Sequence, residues 1–271
     1  MTLAVAVVCQ DGVVVAADSR TTLNNFRASR VGSDATHKVF GSGRVAVATW
    51  GEAFVLGRSV AHHMANFIDA ESGNCHHPRI AAEALAEHFG DLCDQQLPTD
   101  LAIAGQQDLS LGFLVAGHDQ AGVGEVWEVE LPGRTVELAA SMAEGGGAVW
   151  RGQTDVVSRL LVGFDEPLLA EAAVRYGLRR EYAALLPLLR DCGFRIPFET
   201  MNLQDAIDLA ALCVRVTTEV QRFSLGAALR APEFSWPGVG GPTEIAAVTV
   251  RGGFAWVQRT PLRGDDQERK R

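Results

Sequence analysis

The chain opens on two runs, residues 2–9 and 12–18, that are apolar at nearly every position and rich in valine. β-Branched residues favour strands, and an apolar run without polar alternation predicts a strand covered on both faces. Between them Gln10-Asp11-Gly12 supplies a tight turn, with Gly12 providing positive φ, so the fold begins with a buried hairpin. Residues 43–50 predict another buried strand. From about 52 to 70 the apolar positions recur at helical spacing, and a second helix is predicted over about 78–96. Residues 109–117 and 123–131 alternate as two strands across Asp119-Gln120-Ala121-Gly122, and 134–139 adds a third. Gly145-Gly146-Gly147 interrupts the pattern. After it come a helix near 154–162, two short helices within 166–191, and a long helix near 203–222 with Asn202 as its N-cap. Strands at about 243–250 and 253–259 close the pattern.

Strands, helices, strands, helices and strands in that order suit two sheets packed face to face with helices outside each. The expected class is α+β, a four-layer αββα sandwich of antiparallel sheets in one domain over residues 1–260. The charged, aromatic-free end at 261–271 reads as a disordered tail.

Composition narrows the partners. With 47% hydrophobic and 21% charged residues, the chain has apolar material for one large core. The 33 acidic against 24 basic residues give a net charge of -9, which repels phosphate backbones and anionic membranes, so nucleic acid and lipid are not expected partners. Cys9, Cys75, Cys93, Cys192 and Cys213 are odd in number and lack ligand spacing, as in a reduced, cytoplasmic protein. The opening MTLAVAVVC lacks the basic start of a secretory signal, and no apolar run approaches the ~20 residues of a membrane span. The adjacent pairs His62-His63 and His76-His77 diverge on a helix and read as surface; no metal and no cofactor are implied.

Three features in residues 2–54 carry candidate chemistry. Thr2 follows a removable Met1; a threonine hydroxyl is a poor nucleophile, but a free α-amine on the same residue, with a pKa of about 8, serves as its base. Asp18 and Arg20, two apart at a strand end, share a face and equally fit a surface turn with a local ion pair. Lys38 is the only lysine besides Lys270 in a chain that otherwise uses arginine. A lysine pKa falls on burial and an arginine's does not, so a lone internal lysine marks a place arginine does not fill.

The stretch TLAVAVVCQDGVVVAADSRTTLNNF, followed by HKVF and VAVATWGEAFVLGR, resembles the N-terminal region of proteasome β subunits, of the related bacterial ATP-dependent peptidase and of stand-alone bacterial homologues. The resemblance implies an N-terminal-nucleophile hydrolase cleaving peptide amide bonds. Thr2 would be the nucleophile, Asp18 and Lys38 would tune it, and Arg20 would support them. It aligns Ala48 with the oxyanion-hole N–H, and Thr21, Ala46 and Trp50 with the substrate pocket, although Trp50 also fits plain core packing. It further implies a peptide or protein substrate, a homo-oligomeric ring and an ATP-dependent unfoldase as partner. Three departures stand out. Gly146 replaces a serine, the Asp and Ser that precede the late Gly-Gly pair are missing before Gly240-Gly241, and a helical insertion occupies about 163–199. A non-catalytic ring or scaffold subunit, and an amidase or peptide ligase using the same Thr2, are the alternatives.

Overall fold

A computed structural model of the chain describes residues 2–24, 29–70, 76–101, 109–224 and 238–261. The 262–271 part of the expected tail, with Lys270, and Met1 and Cys75 lie outside these. In chain order the first strands are β1 (Leu3–Cys9), β2 (Gly12–Ala17), β3 (Thr21–Asn24), β4 (Ser29–Ser33), β5 (Val39–Ser42), β6 (Val45–Gly51), β7 (Phe54–Val55) and β8 (Arg58–Ser59). Helices α1 (Val60–Ala70) and α2 (Pro78–Leu101) follow, then β9 (Leu111–His118), β10 (Gly124–Leu131), β11 (Thr135–Ser141) and β12 (Gly147–Gly152). Helices α3 (Asp155–Leu161), α4 (Glu166–Arg175), α5 (Arg179–Asp191) and α6 (Leu203–Phe223) precede the closing strands β13 (Glu244–Thr249) and β14 (Gly253–Gln258).

Two five-stranded antiparallel sheets form, in the orders β12-β1-β2-β13-β14 and β11-β10-β9-β6-β5. Strand alternation divides their apolar residues among three core layers. Ala4, Ala6 and Val8 of β1 meet Ala46, Ala48 and Trp50 of β6 between the sheets. Leu3, Val5 and Val7 turn outward beneath α6, while Val45 and Val47 pack under α1 and α2 with Phe89 and Phe113. β1 and β2 are buried at every position, as uniformly apolar strands require. The architecture is the expected αββα sandwich.

The hairpin turn differs in its physical reason. Gly12 is not at positive φ; a Cβ there would stand 2.6 Å from the Val248 carbonyl oxygen, so glycine permits the close approach of β13. Residues 52–59 are not helical. Leu56 and Gly57, both at positive φ, turn the short β7–β8 hairpin, and the helix begins only at Val60. His63 is also buried rather than on the surface, its Nε2 3.0 Å from the Val55 carbonyl, while His62 is exposed. Asn202 caps α6 as expected, accepting the Asp205 N–H at 2.9 Å. Within the 163–199 segment α5 buries no side chain, and Phe194 N–H donates to the Leu161 carbonyl. Among the described residues no helix is long and apolar enough to cross a membrane.

Candidate active site

Thr2 stands at the entry to β1, buried, and its carbonyl accepts the Gln153 N–H at 2.7 Å. Leu3 pairs with Gly152, so the start of β1 is fixed against the end of β12. Gly152 lies at φ +87, and a Cβ there would come within 2.1 Å of the Thr2 carbonyl oxygen. Both the backbone angle and the space demand glycine.

Asp18 leaves β2 with its carboxylate fully buried. Its Oδ1 accepts the Leu3 N–H at 3.1 Å and the Lys38 ammonium at 3.0 Å. Its Oδ2 accepts the N–H groups of Arg20 and Gly240, each at 3.0 Å. One carboxylate thus ties together the start of β1, the exit of β2, the residue before β5 and the approach to β13. A buried charge is tolerated on such terms, with a counter-charge and its lone pairs satisfied.

Lys38 is 5% exposed and also donates to the Arg20 carbonyl at 2.5 Å. Burial pushes its ammonium below the ordinary lysine range, with the negative charge of Asp18 working against that shift. Arg20 reaches Asp18 through its backbone N–H. Its guanidinium forks onto Asp34 at 2.6 and 3.0 Å, and a Cβ at Gly240 would collide with it at 2.5 Å.

These residues border an open cleft. Thr2, Arg20, Thr21, Lys38 and Trp50 all line it, together with His37 and Gly51. Trp50 also packs in the inter-sheet core. Thr21 donates its hydroxyl to Thr36 at 2.7 Å. Ala46 and Ala48 are corrections: both are fully buried between the sheets and neither lines the cleft. The reason is strand parity. Thr49 N–H donates to the Lys38 carbonyl at 3.0 Å, so on β6 the odd-numbered N–H groups face β5. That of Ala48 faces β9, opposite Leu114.

Two of the departures also shift place. Gly146 lies beside Val8, at the far end of β1 and about 20 Å along the strand from Thr2. The residue flanking Thr2 is instead Gln153, whose side-chain oxygen accepts from Gln221 at 2.5 Å. Gln221 in turn accepts the Val239 N–H at 2.9 Å. Before Gly241 the chain supplies backbone groups, since Gly240 gives its N–H to Asp18 and its carbonyl to Ser19.

The sequence reading missed one acidic residue. Glu244 is fully buried; its Oε2 accepts the N–H groups of Lys38 and Val39, and its Oε1 lies 2.5 Å from His37 Nδ1. A charged residue heading an otherwise apolar strand was the available signal. Among the described residues, no group of three or more His, Cys, Asp or Glu side chains is arranged to hold a metal ion.

No protein-family model matches the chain. It is 28% identical over 152 residues to proteasome subunit beta type-1 of Saccharomyces cerevisiae, a span of 55% of this chain and 63% of that one, less than two thirds of the relative's length. Among solved structures it is similar to an Anbu protein from Hyphomicrobium, solved as a Gly-1 mutant, with a TM-score of 0.54 at 14% identity. That match covers 99% of this chain and 90% of the other. It is similar also to the Anbu complex from Pseudomonas aeruginosa, described as a helical assembly, with a TM-score of 0.52 at 15% identity over 98% and 90%. Anbu from Yersinia bercovieri, described as an ancestral β-subunit, gives 0.51 at 13% over 94% and 87%. The fold is proteasome-like.

Proposed function

We propose that this proteasome-like chain is a threonine-type N-terminal-nucleophile hydrolase of peptide amide bonds, with Thr2 as nucleophile once Met1 is removed. The observation that carries it is the joining of Thr2 and Lys38 in one cleft through Asp18, which holds both the Leu3 N–H and the Lys38 ammonium. A cation there favours the neutral Thr2 amine and the developing alkoxide. The amine takes the hydroxyl proton as Oγ1 attacks the carbonyl, then delivers it to the departing amine; water cleaves the resulting ester. The N–H that suits the oxyanion is that of Gly51. It shares the parity of Thr49, borders the cleft, and lies beyond the start of β5. A Cβ at Gly51 would meet the Ser110 carbonyl oxygen at 2.1 Å, and φ is +91, so only glycine fits this corner. Such donors are worth about 3 kcal/mol of transition-state stabilisation.

The test is intact mass before and after treatment with a peptide epoxyketone, which captures the amine and hydroxyl of an N-terminal threonine together. Loss of Met1 and a single adduct at Thr2, absent in Thr2→Ala, is the expected result. A chain that keeps Met1 and takes up no adduct overturns the enzyme reading and favours a non-catalytic scaffold. Product mass separates hydrolysis from ligation, because a hydrolase adds water to the acyl fragment whereas a ligase joins it to a second amine. Gly152→Ala is expected to lower the adduct rate at least ~10-fold, since its Cβ displaces the Thr2 carbonyl. Far-UV circular dichroism should stay unchanged. A homo-oligomer is part of the proposal, supported by the assembled relatives of this fold; an unfoldase partner is carried by the resemblance alone, and a cytoplasmic site by the scattered cysteines.

A further inference from the structure

His37 and Glu244 form a second acid–base pair at the cleft that the reaction above does not use. Glu244 sits at the head of β13 with no exposed surface, more than 200 residues from its partners. Its Oε2 is taken by the backbone N–H groups of Lys38 and Val39 at 3.0 and 3.3 Å, so the carboxylate is the anchor that fixes where Lys38 leaves the backbone. Its Oε1 takes His37 Nδ1 at 2.5 Å. A carboxylate only accepts, so Nδ1 carries the proton shared with Glu244, and Nε2 is left for a partner outside this pair. The His37 side chain is 24% exposed and lines the cleft. Its Nε2 has no hydrogen-bond partner among the described residues and is not one of the buried unpartnered atoms. It therefore opens toward whatever occupies the cleft.

Resting on the reading of Thr2 as nucleophile, we propose that Glu244 is a positioning residue for Lys38 and that His37, held in place by it through Nδ1, selects the substrate. The class selected is a peptide whose side chain next to the scissile carbonyl can hydrogen-bond Nε2, such as glutamine, whose amide both donates and accepts. The threonines Thr21, Thr22, Thr36 and Thr49 line the same cleft beside the apolar Trp50, Ala53 and Val60. An apolar side chain would leave Nε2 desolvated and unpaired, which is where discrimination arises.

Two epoxyketones that differ only in glutamine or leucine at the residue bearing the warhead test this, with adduct formation on the full chain followed by intact mass. The wild type is expected to react about 5- to 10-fold faster with the glutamine probe, the scale of one hydrogen bond to a partly desolvated group. His37→Phe should bring the ratio to about 1. Glu244→Ala should slow both probes at least ~10-fold by freeing Lys38, while Glu244→Gln, which still offers an oxygen to the two N–H groups, should recover much of that loss. Equal rates for the two probes in the wild type, or a ratio that survives His37→Phe, overturn the role of His37. Unchanged rates in Glu244→Ala overturn that of Glu244. A wild type that reacts with neither probe removes the nucleophile reading itself and this inference with it, a result distinct from reaction with both alike.

Discussion

Replacing Lys38 with alanine is expected to abolish adduct formation at Thr2, lowering its rate by ~10²-fold or more. The charge that keeps the amine neutral would be gone, and general-base assistance alone is typically worth 10²–10⁴. Asp18 would also be left as a buried carboxylate without its cation, a loss of about 3–5 kcal/mol where such pairs are broken. Lys38→Arg separates the two effects. Arginine restores a cation, so part of the stability should return. Its planar fork does not reproduce a compact ammonium held between the Asp18 carboxylate and the Arg20 carbonyl. Folded protein with no adduct is the expected phenotype of Lys38→Arg. A normally reactive Lys38→Arg would show that only charge, and not lysine, is needed.

The same residue predicts opposite pH trends for activity and stability. Burial pushes the Lys38 ammonium below the ordinary lysine range in the folded chain, while the unfolded chain keeps the ordinary value. Between those two values the unfolded state binds more protons, so this group's contribution to stability rises with pH. Below the lowered value the folded state instead carries the full cost of a buried charge. Adduct formation depends on the charged form and should fall across that same alkaline window. Denaturant midpoints of wild type and Lys38→Met, taken through the window, isolate the term as a difference. A difference that does not change with pH would contradict the depressed lysine.

Why some of this was legible in the sequence and some was not follows from range. β1 and β2 were readable because they are buried on both faces and carry no polar residue to blur the pattern. Lys38 stood out because the chain uses arginine almost everywhere else. β12 was missed: a short strand between glycines, it exists through pairing with β1 more than 140 residues away. The register of β6 was misplaced toward Ala48 because alignment by residue type carries no strand parity, and a single buried N–H direction moves the cleft-facing donor to Gly51. The serine position was sought at Gly146 for the same reason, whereas pairing brings Gln153 to Thr2. Glu244 binds mainly backbone N–H groups, which leave no trace in the residues that carry them.

The second large effect belongs to Asp18. Its four donors divide evenly, two to each oxygen, so every acceptor direction is used by Leu3, Lys38, Arg20 and Gly240. Asparagine has nearly the same shape but only one carbonyl oxygen. Whichever way its amide turns, an NH₂ group faces two donors, and Lys38 loses the counter-charge that opposes the lowering of its pKa by burial. Asp18→Asn is therefore expected to cost about 3–5 kcal/mol, close to the whole stability of a marginal domain, and to eliminate the Thr2 adduct. Asp34 provides the control. It grips Arg20 with two short hydrogen bonds, yet its side chain is 47% exposed, and water replaces most of what is lost. Asp34→Ala should cost no more than ~1 kcal/mol. Urea midpoints of the two variants, compared with wild type, give the contrast directly. Equal losses would mean that burial and donor count do not govern this site, and that Asp18 is no more than one more surface acid in an acidic chain.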